Sequence, residues 1–230
     1  MEQNFVEAKF LRKVSIFNGL SDVDIQKITG IGSRKTYPKG SVIVMEAETG
    51  AAMFMIVSGK VKVIQSDEAG REVILSILSE IDVFGELSLL DGYTRSASVI
   101  AITNTEVFVI HRQDFLHLLN NYPTVSIALL GELAMRLRRA DAQIKNLSLK
   151  SAEERVASVI LQLAEEVGRI RHGRVEIGDL PVQQDLANMA GTSRETVSRM
   201  LHTFIRSNEI TLEGNKLIIH DYETFRNLHK

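Results

Sequence analysis

The sequence predicts an α+β fold: an N-terminal antiparallel β-roll, a long helix and a C-terminal winged helix-turn-helix. Three observations carry that reading. Between residues 34 and 110, short Val- and Ile-rich segments are separated by Gly and acidic turns. After Pro123, apolar residues recur at three-to-four spacing for about 24 residues. From Leu180 a helix, a tight turn and a second helix follow one another, and Ile210 to Ile219 forms a hairpin pattern.

In chain order, Ser21 begins a short helix as its cap, with Asp24 at the third helical position. The β segments are 41–45, 52–57, 60–64, 72–78 and 105–110, several alternating with period two. Val57-Ser58-Gly59-Lys60 predicts a hairpin, and residues 66–71 a longer turn. Many short strands at near-regular spacing indicate a compact antiparallel roll over residues 1–123. In the helix of residues 124–147, Leu130, Leu133, Leu137, Ile144 and Leu147 form a narrow stripe with Ala134 and Ala140. Such a stripe suits pairing with a second copy; packing on its own domain is the alternative. Residues 148–230 open with an amphipathic helix from Ala152 to Val167, whose apolar face is Val156, Val159, Ile160, Leu163 and Val167, and Gly168 and Gly173 bracket a break. Pro181 suits a first helical turn, Gly191 the tight turn, Thr192 or Ser193 the next cap, and Gly214-Asn215 the bend of the wing.

Composition narrows the function. The chain has 230 residues, 27 Lys+Arg against 29 Asp+Glu, and no Cys. Without Cys there are no disulfides, no Cys-ligated clusters or zinc sites, and no thiol catalysis. The six histidines, among them His172, show no close metal-ligand pattern apart from His111 and His117, which are six apart and off one helical face. Residues 1–10 do not read as a signal peptide, and the longest apolar runs fall far short of the roughly 18 residues of a membrane helix. A soluble, cytoplasmic, non-enzymatic protein with no membrane partner is expected.

Two constellations carry chemistry. In the second helix of the helix-turn-helix, Val197, Leu201 and Ile205 form an inner face at spacing four, while Arg194, Glu195 and Arg199 emerge on the outer face. Arg bonds guanine bidentately and Glu accepts from a cytosine amine, so this pattern suits the major groove of double-stranded DNA. Thr192, Ser193 and Thr196 are hydroxyl donors suited to phosphates. The global charge is −2, but between 191 and 207 Arg194, Arg199 and Arg206 face Glu195 alone. The other constellation is Gly85-Glu86-Leu87 followed by Arg95-Ser96-Ala97. Arg95 offers a planar fork and Ser96 short donors to a phosphodiester, Glu86 accepts from a sugar hydroxyl, and Gly85 permits close backbone approach.

The run Gly-Thr-Ser-Arg-Glu-Thr-Val-Ser-Arg at 191–199 resembles the recognition-helix signature of the Crp/Fnr family of bacterial transcription regulators. Tyr37-Pro-Lys-Gly40, 54–59 and Gly85-Glu-Leu87 are similar to that family's cyclic-nucleotide-binding domain, so the resemblance covers almost the whole chain in the family's domain order. It implies a homodimer on a twofold-symmetric operator, with RNA polymerase as a further partner. By that resemblance, Arg194, Glu195 and Arg199 match the base-reading positions of the cyclic AMP receptor branch, which implies TGTGA-like half-sites. Gln183, Gln184, Thr192, Ser193 and Thr196 fall at backbone-contact positions, and His202 stands where that branch has Lys. The phosphate-binding cassette is implied at Gly85, Glu86, Leu87, Arg95, Ser96 and Ala97, with Arg136 on the long helix near Glu86. The resemblance implies cAMP or another cyclic nucleotide as effector, but Ala140 and Asp141 replace the adjacent Thr and Ser that read adenine, so adenine readout is altered or lost. A constitutive regulator without nucleotide and a cyclic-nucleotide-binding regulatory module are the alternatives.

Overall fold

A computed structural model describes residues 2–171 and 173–229, so Met1, His172 and Lys230 lie outside the described residues. The chain divides into two compact units, Met1–Arg139 and Ala140–Lys230. No helix of the described residues is long and apolar enough to cross a membrane.

The first unit begins with α1 (Glu2–Leu11), a 3-10 turn at Ser15–Phe17, and α2 (Asp22–Thr29). As the sequence predicts, Ser21 caps α2: its side chain accepts from the Asp24 amide at 3.2 Å. The roll is built from β1 (Gly32–Tyr37), β2 (Val42–Val44), β3 (Ala52–Ser58), β4 (Val61–Ser66), β5 (Glu72–Leu78), β6 (Val83–Phe84), β7 (Ser98–Ala101) and β8 (Thr105–His111). Short α3 (Leu87–Leu90) interrupts it, and α4 (Arg112–Asn121) and α5 (Pro123–Leu149) follow. Two antiparallel four-stranded sheets result, ordered β1-β8-β3-β6 and β2-β7-β4-β5.

Strand β3 explains the layering. Both of its faces are covered, so Ala52 through Ile56 are all buried and the strand reads as a continuous apolar run. Phe54 and Ile56 point into a core between the sheets with Val61, Phe84, Val99 and Val107. Met53 and Met55 join Phe108, Phe115, Ile25 and Leu11 on the side covered by helices.

The predicted 57–60 hairpin is corrected. Strand β3 pairs with β8 and β6, whereas β4 pairs with β7 and β5, so the turn hands the chain from one sheet to the other. Gly59 has φ +95°, and a Cβ there would lie 2.5 Å from the Asn104 carbonyl. Residues 102–105 take the hydrogen bonds a hairpin ladder would use: the Lys60 amide donates to Thr103 Oγ1 at 2.8 Å and the Lys60 carbonyl accepts from the Ile102 amide at 2.9 Å. The longer turn does close a hairpin, β4–β5, with Asp67 accepting from the Ala69 and Arg71 amides.

The second unit comprises the last turns of α5, then α6 (Ala152–Val167), β9 (Arg169–Arg171), β10 (Arg174–Ile177), α7 (Gln183–Ala190), α8 (Arg194–Arg206), β11 (Ile210–Glu213), β12 (Lys216–Ile219) and α9 (Tyr222–His229). Ser151 and Glu154 form a full capping box on α6. The expected break at 168–173 holds strand β9, and with β10 it extends the wing to a sheet ordered β11-β12-β10-β9. Pro181 precedes α7 rather than opening it, because Val182 is the N-cap. The inner face of α8 is Val197, Leu201 and Phe204; Ile205 is 40% exposed. Eight residues overshoot two helical turns, so the third buried contact falls at seven and Phe204 meets Phe225 edge-on at 5.3 Å.

Candidate functional site

In the first unit the structure brings Gly85 together with Arg95, and Glu86 with Arg136. Gly85 holds φ +78°, and a Cβ there would come 2.9 Å from Arg95 Nη1, so a larger residue would be strained and would push the Arg95 guanidinium aside. Glu86 stands at the N-cap position of α3 without a side-chain cap bond and is 1% exposed. Its Oε1 accepts from Arg136 Nη1 of α5 at 2.8 Å, and Arg136 Nη2 also donates to the Val83 carbonyl at 2.5 Å. Glu86 Oε2 is buried with no hydrogen-bond partner.

Arg95 is 8% exposed. Nη1 donates to the Gly85 carbonyl and to Ser88 Oγ (2.9 Å), and Nη2 to the Ala52 carbonyl at 2.7 Å. Among the described residues no carboxylate makes an ion pair with this guanidinium. Burial pulls its pKa below the ordinary arginine value, while the charges of Glu86 and Glu48 act the other way. A cation held only by neutral acceptors, beside a carboxylate oxygen with an open valence, is chemically suited to an anion that also carries a hydroxyl.

The cassette's other members are less engaged. Leu87 is exposed as the first residue of α3, Ser96 is exposed with its carbonyl accepting from Gln65 Nε2 at 2.8 Å, and Ala97 is buried. Ala140 and Asp141 are exposed on α5. The stripe of α5 divides: Leu133 is partly buried against the first unit's core, beside Val125 and Leu129 from outside the stripe, whereas Leu130 (65%), Leu137 (64%), Ile144 and Leu147 are exposed.

In the second unit, Gly191 turns the chain in the left-handed conformation (φ +59°), where L residues are strained, and the Thr192 amide donates to the Ala187 carbonyl at 3.0 Å. Ser193 caps α8 by accepting from the Thr196 amide at 3.2 Å. Arg194 and Glu195 are exposed on the first turn. Glu195 lies below the ordinary glutamate value, because its own backbone N–H and the Ser193 hydroxyl donate to the carboxylate. Arg199 is exposed one turn on, but its Nη2 pairs with Glu153 of α6 at 2.8 Å. Gln183 and Gln184 open α7, Gln184 donating to Asn188 Oδ1 at 2.9 Å, and His202 is exposed on α8. Sequence reasoning missed Ser88 and Arg155 and gave Glu153 no part in the site; Glu153 and Arg155 act through contacts 35 or more residues away, and no local pattern marks them.

Residues 34–122 match the family model of the cyclic nucleotide-binding domain and residues 154–228 that of the Crp-like helix-turn-helix domain. The chain is 36% identical to a cyclic AMP receptor protein of Thermus thermophilus over 86% of this chain and 88% of that one. It is 33% identical to a CRP-like cAMP-activated global transcriptional regulator of Mycobacterium tuberculosis, covering 94% and 96% of the two chains. Among solved structures, the Thermus thermophilus catabolite activator protein aligns at 32% identity and TM-score 0.54 over 94% of this chain and 98% of that one. FixK2 from Bradyrhizobium japonicum shares the fold at 24% identity and TM-score 0.77, covering 87% and 98%.

Proposed function

Because the chain belongs to the Crp/Fnr family of transcription regulators, we propose that it is a cytoplasmic homodimer that binds a twofold-symmetric, TGTGA-like operator and is gated by a cyclic nucleotide. The observation that carries the gating is the pair of incomplete partners in the cassette: Glu86 Oε2 without a donor and Arg95 without an anion. A cyclic phosphodiester supplies the negative charge, and its ribose 2′-hydroxyl supplies the missing donor. Three hydrogen bonds to Gly85, Ser88 and Ala52 orient the Arg95 fork. Glu86 is already held through Oε1 by Arg136, so ligand at Oε2 acts on a group bonded to α5.

The exposed stripe of Leu130, Leu137, Ile144 and Leu147 is the surface proposed to pair with a second copy. Pairing of α5 sets the separation of the two α8 helices, and ligand biases it toward the roughly 34 Å between successive major grooves. In each half-site Arg194 and Arg199 donate to guanine, Glu195 accepts from cytosine, and Gln183, Gln184, Thr192, Ser193, Thr196 and His202 meet the backbone. Asp141 only accepts hydrogen bonds, so it favours a base with an exocyclic amine, such as adenine. RNA polymerase is the partner that a promoter-bound dimer would meet.

A second reading is a constitutive regulator with no nucleotide effector. It draws on Arg95, whose partners within the roll already orient it. A regulatory module without DNA binding fits less well, since it has no use for the base-reading face of α8. Arg95→Leu should abolish nucleotide binding in isothermal titration, and Arg199→Ala should weaken operator binding. A full nucleotide response in the first variant, or unchanged selective affinity in the second, would overturn the corresponding assignment.

A further inference from the structure

Arg155 lies in the first turn and a half of α6, half-buried. Its guanidinium donates three hydrogen bonds: Nε to the Ala190 carbonyl at 2.7 Å, Nη2 to the Gly191 carbonyl at 2.9 Å, and Nη1 to the Lys150 carbonyl at 3.0 Å. These acceptors come from separate parts of the chain. Ala190 ends α7, Gly191 is the turn before α8, and Lys150 follows the last residue of α5. The final carbonyls of a helix have no helical partner, and a cation there also complements the dipole. A second contact ties the same places together: a Cβ on Gly191 would lie 3.0 Å from Leu147 Cδ2 of α5. The planar fork of arginine can serve three acceptors at fixed angles, which an ammonium cannot reproduce.

We propose that Arg155 is a positioning residue for the recognition helix. It locks the turn ahead of α8 to the α5–α6 corner, and so fixes the angle at which Arg194, Glu195 and Arg199 meet base edges. The inference rests on the reading of α8 as the DNA-reading helix. Phosphate contacts carry no sequence information, and a point charge tolerates a small rotation; bidentate base contacts do not. Loss of the fork therefore removes sequence discrimination ahead of general affinity.

The test uses the full-length protein, Arg155→Met, and Arg155→Lys as a conservative variant that keeps the charge and folds if the first does not. Duplexes are selected by the wild-type protein from a random pool, and affinity for them is compared with that for a scrambled duplex at fixed salt. The ratio of specific to non-specific affinity is expected to fall about tenfold or more in Arg155→Met, with Arg155→Lys between it and wild type. An unchanged ratio, or equal losses on both duplexes, would overturn the proposal, because destabilisation alone lowers both together. Amide exchange at Thr192 reads the turn without DNA. Exchange about tenfold faster in either variant supports the lock, and unchanged exchange overturns it. Failure of the wild type to select any sequence would count against α8 as a reader of DNA, while the exchange result still decides the role of Arg155.

Discussion

Substituting Glu86 by Gln tests whether the cassette reads a sugar hydroxyl. The native carboxylate is 1% exposed, with Oε1 on Arg136 Nη1 at 2.8 Å and Oε2 without a partner. Glutamine keeps the shape and an oxygen for Arg136, but places an NH2 group, which only donates, where Oε2 stands. A hydrogen bond to a charged acceptor contributes about 1.5–3 kcal/mol, so a ligand hydroxyl on Oε2 is worth roughly 10- to 150-fold in affinity. Isothermal titration of cAMP and 2′-deoxy-cAMP against both proteins closes a double-mutant cycle. Loss of the hydroxyl should cost the wild type a factor in that range and the variant about threefold or less. If removing the hydroxyl weakens binding to both proteins by the same factor, Oε2 does not receive it and the reasoning fails.

Three further outcomes are expected. Glu153→Gln releases Arg199 from an exposed ion pair (61% and 44% exposed side chains), so operator binding should tighten by a few fold at most, as surface pairs are weak; anisotropy showing no change would mean that the pair does not compete with DNA. Leu137→Glu puts a charge into the stripe of α5 proposed to pair with a second copy, where apolar burial would be worth about 1.5–3 kcal/mol per protomer, so sedimentation should show a dimer for the wild type and monomers for the variant. For Asp82, burial raises the carboxyl above its ordinary 3.8, opposed by the Ser79 backbone N–H and by Arg136. The folded state thus holds its proton to higher pH than the unfolded chain, and stability is lost as pH rises through that interval; Asp82→Asn should melt above the wild type at neutral pH, with the difference vanishing below pH 3.8, and equal midpoints at neutral pH would contradict the assignment.

Features governed by local chemistry were legible in the sequence. The Ser21 and Ser193 caps, the left-handed Gly191 and the wing bend at Gly214 depend on residues within one or two turns of each other. What was misread depends on partners far away in the chain. Gly59 marks a turn, but whether that turn closes a hairpin or crosses between sheets is settled by residues 102–105. Ile205 and Phe204 are both apolar, and the packing of α9 through Phe225 selects the phenylalanine. Strand β9 is three residues long and rich in Arg, so it carries no apolar pattern of its own; pairing with β10 makes it a strand. In the cassette, the residue types were evident from Gly85-Glu86 and Arg95-Ser96. Their satisfaction by Ser88, Ala52 and Arg136 follows from the fold alone.

The central claim is tested most directly by fluorescence anisotropy of a duplex carrying inverted TGTGA half-sites, titrated at fixed salt with and without cAMP, cGMP and cyclic dinucleotides. The account predicts selective binding that one nucleotide strengthens by about tenfold or more, in keeping with ordinary allosteric coupling. Affinity that no nucleotide changes would contradict the gating assigned to Glu86 and Arg95, and binding no tighter than to a scrambled duplex would contradict the operator.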